Sequence, residues 1–288
     1  MNELNSKLHV AGYVADSEIT SILQLMQTLQ RPLLLEGEAG VGKTAIAQAL
    51  ATATETELIR LQCYEGLDSQ NAVYEWNYAK QLLWINMQEK HETKQAELSS
   101  MFEQEFLLER PLLKAITQDK PPVLLIDEID RADEAFEAFL LELLSEYQIS
   151  IPEYGTINAS CIPMVILTSN GVRHLSDALR RRCLYYYMDY PDHDREMAII
   201  QQRLPDIEDK LSSQIVNFVQ QLRQQDLRKR PGIAETLDWA LALMSLNVND
   251  MTESDSVIQE SLGCLLKTRE DREYLNNTEV QRLIRLSA

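Results

Sequence analysis

Cysteine, glycine and basic side chains are all scarce in this 288-residue chain. The four cysteines, Cys63, Cys161, Cys183 and Cys264, form no C-x-x-C pair. That argues against a zinc ribbon and against a disulfide framework, and suits a reducing cytoplasm. His9, His91, His174 and His193 lie far apart without ligand spacing, which argues against a metal centre or histidine catalysis. Apolar runs such as 162–167 are far too short to span a bilayer, so no membrane span is expected. The opening MNELNSKLHV has no basic stretch followed by an apolar run, so no secretory signal is read there. Only 27 Lys and Arg face 45 Asp and Glu, a formal charge of −18. Such a chain repels phosphate backbones, so no nucleic-acid partner is expected. At 45% apolar and 25% charged, the composition excludes disordered and collagen-like chains. The length allows one large domain or two ordinary ones.

What is present is an alternation. From residue 31 to about 187, short apolar runs at 32–36, 57–62, 122–127, 163–169 and 183–187 are separated by helical patterns. Several are apolar at consecutive positions, as in parallel strands buried on both faces. The pattern is βαβαβ and the class α/β. Beyond residues 190–194 no strand-like run remains, and 195–203, 209–223, 234–246 and 279–286 read as helices. The expected division is therefore an α/β domain at 1–190 and a small all-helical domain at 191–288. The first carries 15 basic against 28 acidic residues, so most of the acidity sits in it.

The stretch Gly37-Glu38-Ala39-Gly40-Val41-Gly42-Lys43-Thr44 matches G-x-x-x-x-G-K-[ST] and holds three of the chain's nine glycines. Glycines let successive backbone N–H groups turn inward around phosphates at the positive end of the following helix, which starts near Ala45. Lys43 supplies a point charge to the β- and γ-phosphates, and the Thr44 hydroxyl suits Mg²⁺. A buried strand before the loop and a helix after it argue against a chance match. The run 123–128 ends in two carboxylates. Beside such a loop, Asp127 would hold Mg²⁺ directly or through water, and Glu128 would orient the water that attacks a γ-phosphate. The plainer alternative is an Asp-Glu pair that opens a solvated turn before the acidic helix at 133–147.

With Leu125-Ile126-Asp127-Glu128-Ile129-Asp130-Arg131-Ala132, the chain resembles the AAA+ ATPases and, within them, the MoxR family. The resemblance covers most of residues 8–245. Residues 62–68 (QCYEGLD), 74–78 (YEWNY) and 182–185 (RCLY) bring it nearest the subgroup accessory to carbon monoxide dehydrogenase maturation. It implies a P-loop parallel sheet flanked by helices, with a C-terminal helical lid. It makes Asn170 the sensor-1 residue that helps place water, although Asn170-Gly171 is also a favoured turn pair. It places an arginine finger within Arg180-Arg181-Arg182, favouring Arg182 with Arg181 as the alternative. The structural alternative is that cations suit the C-terminus of a short helix capped by Ser176. It places adenine near Tyr13 and Val14. The family's sensor-2 arginine has no match on the helix beginning near Ala234 and Glu235, where Arg228, Lys229 or Arg230 would have to substitute. The polar stretch 86–107 reads as an inserted helix.

Other features are ambiguous by sequence. Tyr64, Tyr74, Trp76, Tyr78 and Trp84 suit either a contact surface or a core. Residues 151–159 suit a β-hairpin. Asp133, Glu134, Glu137, Glu142 and Glu146 suit one solvated helix face. The leading expectation is an ATP-hydrolysing, Mg²⁺-dependent, chaperone-like ATPase working as a homo-hexameric ring. The resemblance implies a partner with a von Willebrand factor A domain and a client metalloenzyme. The alternatives are a nucleic-acid-dependent motor or loader, which would need a basic track, and a nucleotide-gated scaffold with little turnover.

Overall fold

The computed structural model describes residues 3–89, 102–152 and 154–287. Its described residues form nine strands: β1 (Leu33–Glu36), β2 (Leu58–Gln62), β3 (Tyr74–Trp76), β4 (Leu107–Glu109), β5 (Val123–Asp127), β6 (Gln148–Ile151), β7 (Gly155–Asn158), β8 (Met164–Ser169) and β9 (Leu184–Tyr187). Five of them build one sheet in the order β2-β5-β8-β1-β9. The pairs β2–β5, β5–β8 and β1–β8 are parallel, in register from Leu58↔Val123, Val123↔Met164 and Leu33↔Ile166. Parallel neighbours need crossovers, and helices supply them, Lys43–Thr54 between β1 and β2 and Glu134–Glu146 ahead of β8. These five strands are the five apolar runs of the sequence, each with its start shifted by one residue.

Burial on both faces explains the consecutive apolar positions. Every residue of β5 is buried. Leu34, Ile59, Leu124, Ile126, Val165 and Leu167 share a core with Leu112, Ile116, Phe136 and Leu140 from the covering helices. At roughly 1.5–3 kcal/mol per fully buried large apolar side chain, this core is the main favourable term of the sheet unit.

The aromatic segment divides by role. Tyr74, Trp76 and Trp84 pack against the core, Trp76 edge-on to Phe102 with ring centroids 5.2 Å apart. Tyr64 and Tyr78 are exposed. β3 and β4 pair antiparallel, as do β6 and β7, which form the hairpin read at 151–159. Residue 153 of that hairpin lies outside the described residues. Of the stretch read as an inserted helix at 86–107, residues 90–101 also lie outside them. Its start belongs to the helix Tyr78–Glu89, and its end is strand, because Leu107 pairs with Trp76 in β4. Glu137 is not solvated: it is 1% exposed, and it accepts a hydrogen bond from Ser176 N at 2.9 Å and pairs with Arg173.

The chain folds into two compact units that interleave along the sequence. One contains residues 17–36 and 47–186, with the sheet. The other contains residues 3–16, 37–46 and 187–287. In this grouping the glycine-rich loop goes with the C-terminal helices. Glycine contacts give the reason. A Cβ on Gly37 would lie 2.2 Å from Met188 O, and one on Gly40 3.2 Å from Gly232 Cα. The second unit has its own core of Ile200, Leu211, Ile215, Phe218, Leu222, Trp239, Leu243 and Leu283. Among the described residues no helix is long and apolar enough to cross a membrane.

All four cysteines are free. Burial, then the nearby Asp127, Asp130 and Glu128 carboxylates, push the Cys63 thiol up to about 12. Burial pushes Cys183 up to about 12 against the pull of Arg31. Both stay protonated thiols at neutral pH and are poor nucleophiles. Titration of the native protein with a disulfide reagent at pH 8 should therefore count only the half-buried Cys161 and Cys264, and all four after denaturation. Rapid native modification of Cys63 or Cys183 would contradict this packing.

Candidate functional site

The sheet unit presents its carboxylates at the C-terminal end of β5. Asp127 is 4% exposed. Its Oδ1 accepts from Thr168 Oγ1 at 2.5 Å, and its Oδ2 from Arg60 Nη2 at 2.5 Å. Thr168 comes from the neighbouring β8 and Arg60 from the neighbouring β2, so the parallel register delivers one partner from each side. Arg60 also reaches Gln62 Oε1 at 2.7 Å, and Gln62 Nε2 donates to Glu128 Oε2 at 3.1 Å. A single chain of hydrogen bonds therefore ties the two carboxylates together across β2. Arg60 is half exposed, so solvent screens its ion pair with Asp127 and the pair contributes little to stability.

Glu128 leaves the strand in the left-handed region, φ 55° and ψ 50°. That conformation costs a non-glycine residue about 1–2 kcal/mol. Its backbone N–H donates to Thr168 Oγ1 at 2.9 Å, which helps hold the turn. The turn re-aims the side chain. Glu128 Oε1 accepts from Asn170 Nδ2 at 3.4 Å, and Oε2 meets Arg131 Nε at 2.8 Å. The structure thus brings together Asp127, Glu128 and Asn170. Asn170 does more than tolerate a turn, although Gly171 beside it does take φ +72°. Its own N–H and that of Val172 donate to Asp130 Oδ2 at 3.2 and 3.0 Å, so buried Asp130 fixes the loop that aims it.

The glycine-rich loop belongs to the other unit. Lys43 is 7% exposed, and its Nζ donates to Gly37 O at 2.6 Å and Glu38 O at 2.7 Å. Gly40 and Gly42 lie at φ +82° and +100°, where side chains are strained. A Cβ on Gly42 would meet nothing within 4 Å, so that glycine is required by conformation alone. Gly37 is required instead by its contact with Met188 O. Glu38, Ala39, Gly40 and Thr44 are exposed, Val41 is buried and Ala45 half-buried. In the same unit Tyr13 is buried and Val14 half-buried. Tyr13 Oη accepts from Arg195 Nη2 at 3.3 Å, while Arg195 Nη1 reaches Asp16 Oδ2 at 2.8 Å. The N-terminal arm is thereby tied to the helix His193–Arg203.

The three arginines differ sharply. Arg180 pairs with Glu36 at 3.1 Å and stacks 5.4 Å from the Tyr185 ring. Arg182 Nε donates to Ser145 Oγ at 2.6 Å. Arg181 is exposed, and its guanidinium has no partner among the described residues. Their helix ends on a different cation: Arg31 donates to the carbonyls of Arg181, Arg182 and Cys183 at 2.6, 3.0 and 3.4 Å. Of the three lid-loop cations, Arg228 pairs with Glu270 at 3.0 Å. Lys229 N–H donates to Asp271 Oδ2 at 3.2 Å. Arg230 is exposed, and its charge is felt at the Tyr190 hydroxyl. Burial, then the Glu38 carboxylate of the glycine-rich loop, push that hydroxyl up, while Arg223 and Arg230 pull it down.

Sequence reasoning missed Thr168, Arg60, Gln62, Arg131 and Arg31. The signal available for Thr168 was a lone hydroxyl near the end of an otherwise apolar strand. For Arg131 it was the i,i+3 spacing from Glu128. Thr168→Val keeps the shape but strips one partner each from Asp127 and the Glu128 N–H. It should destabilise the protein by about 1–3 kcal/mol and lower its Tm by several degrees in a thermal melt. An unchanged Tm would show that Thr168 does not organise this corner.

The chain is 26% identical over 239 residues to an uncharacterized protein of Staphylococcus haemolyticus, across 81% of this chain and 83% of that one. It has the same identity to an uncharacterized protein of Staphylococcus aureus, across 81% and 82%. Among solved structures, a mutant of Thermotoga maritima RuvB shares the fold at a TM-score of 0.50 and 17% identity, covering 91% of this chain and 70% of that one. The sequence profile of the AAA domain, dynein-related subfamily, matches residues 32–183. Since that match spans more than half of the chain and runs from β1 to the residue before β9, the protein belongs to the AAA domain family, in its dynein-related subfamily.

Proposed function

We propose that the protein hydrolyses ATP and uses the turnover, in a ring of identical subunits, to remodel a client complex as MoxR-type ATPases do. The observation that carries the reading is the corner where Asp127 is held by Thr168 and Arg60 while Glu128 is turned out toward Asn170. Strand-end carboxylates of this kind, in a chain that carries the G-x-x-x-x-G-K-[ST] loop, suit phosphoryl transfer to water.

In this reading the loop's N–H groups and Lys43 take the β- and γ-phosphates, Lys43 exchanging contacts to the Gly37 and Glu38 carbonyls for phosphate oxygens. Thr44 offers an exposed hydroxyl and Asp127 a buried carboxylate, both hard oxygen donors of the kind Mg²⁺ takes alongside phosphates and water. Bound Mg²⁺ neutralises charge on the phosphate oxygens. Gln62 and Arg131 hold Glu128 Oε2, which leaves Oε1 and the Asn170 amide to orient a water. That water's oxygen bonds to the γ-phosphorus, the bond to the β–γ bridging oxygen breaks, and ADP leaves with the electron pair. Glu128 receives the water's proton. Adenine is assigned to the Tyr13–Val14 segment by resemblance.

A chain that carries −18 and yet binds a polyanion needs local cations. Arg181 is exposed and its guanidinium has no partner among the described residues, which supports it above Arg182 as the guanidinium offered to a neighbour's γ-phosphate. Such sharing requires a ring or another shared subunit interface, and the homo-hexamer is the family's form. The von Willebrand factor A partner and the client metalloenzyme rest on the resemblance at residues 62–68, 74–78 and 182–185.

Glu128→Gln should keep nucleotide binding and lower kcat by about 100-fold or more, measured as phosphate release. Hydrolysis at the parent rate would remove Glu128 from its role. Arg181→Ala should lower turnover by about 1,000-fold with binding intact, and Arg182→Ala by far less. The reverse order would make Arg182 the shared residue. With ATP, tagged Glu128→Gln should co-purify a protein containing a von Willebrand factor A domain; capture of none under those conditions would count against the MoxR assignment.

A further inference from the structure

The helix Ile233–Ser245 begins at a glycine that its own backbone does not require. Gly232 has φ −85° and ψ −176°, extended values open to any residue. A Cβ there would nevertheless lie 2.6 Å from Gly40 O and 2.7 Å from both Gly40 C and Gly40 Cα. A real Cβ essentially never makes contacts that short, so the demand for glycine at 232 comes from the phosphate loop alone. The next residue completes the contact, since Ile233 N–H donates to Gly40 O at 2.9 Å. Glu235 Oε2 accepts from Gly232 N–H at 3.1 Å, and it also lies 3.1 Å from where a Cβ on Gly40 would stand.

A buried polar group stands behind this turn. Glu196 is fully buried and Arg223 is 7% exposed. They are joined by two hydrogen bonds of 2.6 and 2.7 Å. Arg223 Nε donates to Pro231 O at 2.8 Å, and Thr236 Oγ1 lies 3.0 Å from Glu196 Oε1 and from Gly232 O. The Tyr190 ring lies 4.9 Å from the Arg223 guanidinium. An uncompensated charge at either position would be costly, so the pair is fixed in place and fixes the turn with it.

We infer that the Pro231–Ile233 turn, held by Glu196 and Arg223, clamps Gly40 and thereby sets the affinity of the phosphate loop for nucleotide. This rests on the reading of residues 37–44 as a nucleotide loop. A clamped loop is ordered before the phosphate arrives, so binding does not have to supply that ordering. Arg223 and Glu196 are then positioning residues rather than ligands. In place of an arginine on the helix itself, the lid contributes a backbone N–H and a tight glycine contact to the loop.

Equilibrium binding of a fluorescent ATP analogue to the full chain tests this, with a thermal melt run on each variant. Gly232→Ala should weaken binding about tenfold, roughly the cost of ordering one residue's backbone at the moment of binding. Gly263→Ala, where a Cβ meets nothing within 4 Å, serves as the control and should bind as the parent does. Ile233→Pro is the second variant, for the case that Gly232→Ala does not fold. It removes the N–H that reaches Gly40 at a first helical position, where proline is well suited, and the extended Gly232 before it is compatible with proline. It too should bind about tenfold more weakly. Parent affinity in a folded Gly232→Ala or Ile233→Pro would overturn the clamp. Failure of the parent chain itself to bind the analogue would overturn the nucleotide reading and the clamp with it.

Discussion

The Thr168 hydroxyl sits where the sheet becomes a site. It donates to Asp127 Oδ1 and accepts from the Glu128 N–H, so one side chain of β8 fixes the last residue of β5 and the first residue beyond it. This is possible only because β5 and β8 are parallel and in register to Ile126↔Leu167, which places Thr168 level with Asp127. The strained turn at Glu128 follows from it, and the exit direction of the Glu128 carboxylate follows from the turn. Arg60 and Gln62 close the same corner from the other side. The site therefore inherits its precision from the most buried element of the protein rather than from a loop.

The glycine-rich loop obeys a different constraint. Its three glycines carry three separate requirements: Gly42 a left-handed backbone, Gly37 the approach of Met188 O, and Gly40 both a left-handed backbone and contact with Gly232. Only the first kind is implied by the usual account of such loops, in which glycines expose N–H groups to phosphate. The other two are packing demands made by residues far along the chain. They explain why the loop groups with the C-terminal helices, and why the glycine at 232 stands where an ordinary helix start would accept Ser or Asp.

Much of this was legible in the sequence. Consecutive apolar residues marked β1, β5 and β8 because burial on both faces leaves no room for alternation, whereas β2 and β9, at the two edges of the sheet, alternate in exposure. The motif at 37–44 and the Asp127–Glu128 pair stood out because their chemistry requires residue types that a plain strand or turn does not. The partners stayed hidden for a physical reason. In Leu58–Gln62, Arg60 reads as an outward-facing residue of an edge strand, and nothing local reveals that β5 brings Asp127 beside it. Arg31 reads as a linker residue, and only the fold places it on the end of the 177–182 helix. Glu137 read as one solvated carboxylate among several, whereas the fold buries it against Arg173. Long-range pairings of this kind depend on register and topology, which composition and periodicity do not encode.

The proposed ATP hydrolysis depends on help from a neighbouring subunit. Steady-state phosphate release from Mg²⁺-ATP, measured per chain over a wide range of protein concentration, tests it most directly. Turnover should be low in dilute solution and rise with concentration to a plateau, as subunits meet and share arginines. Turnover that is absent at every concentration, or that is the same per chain however dilute the protein, would contradict it.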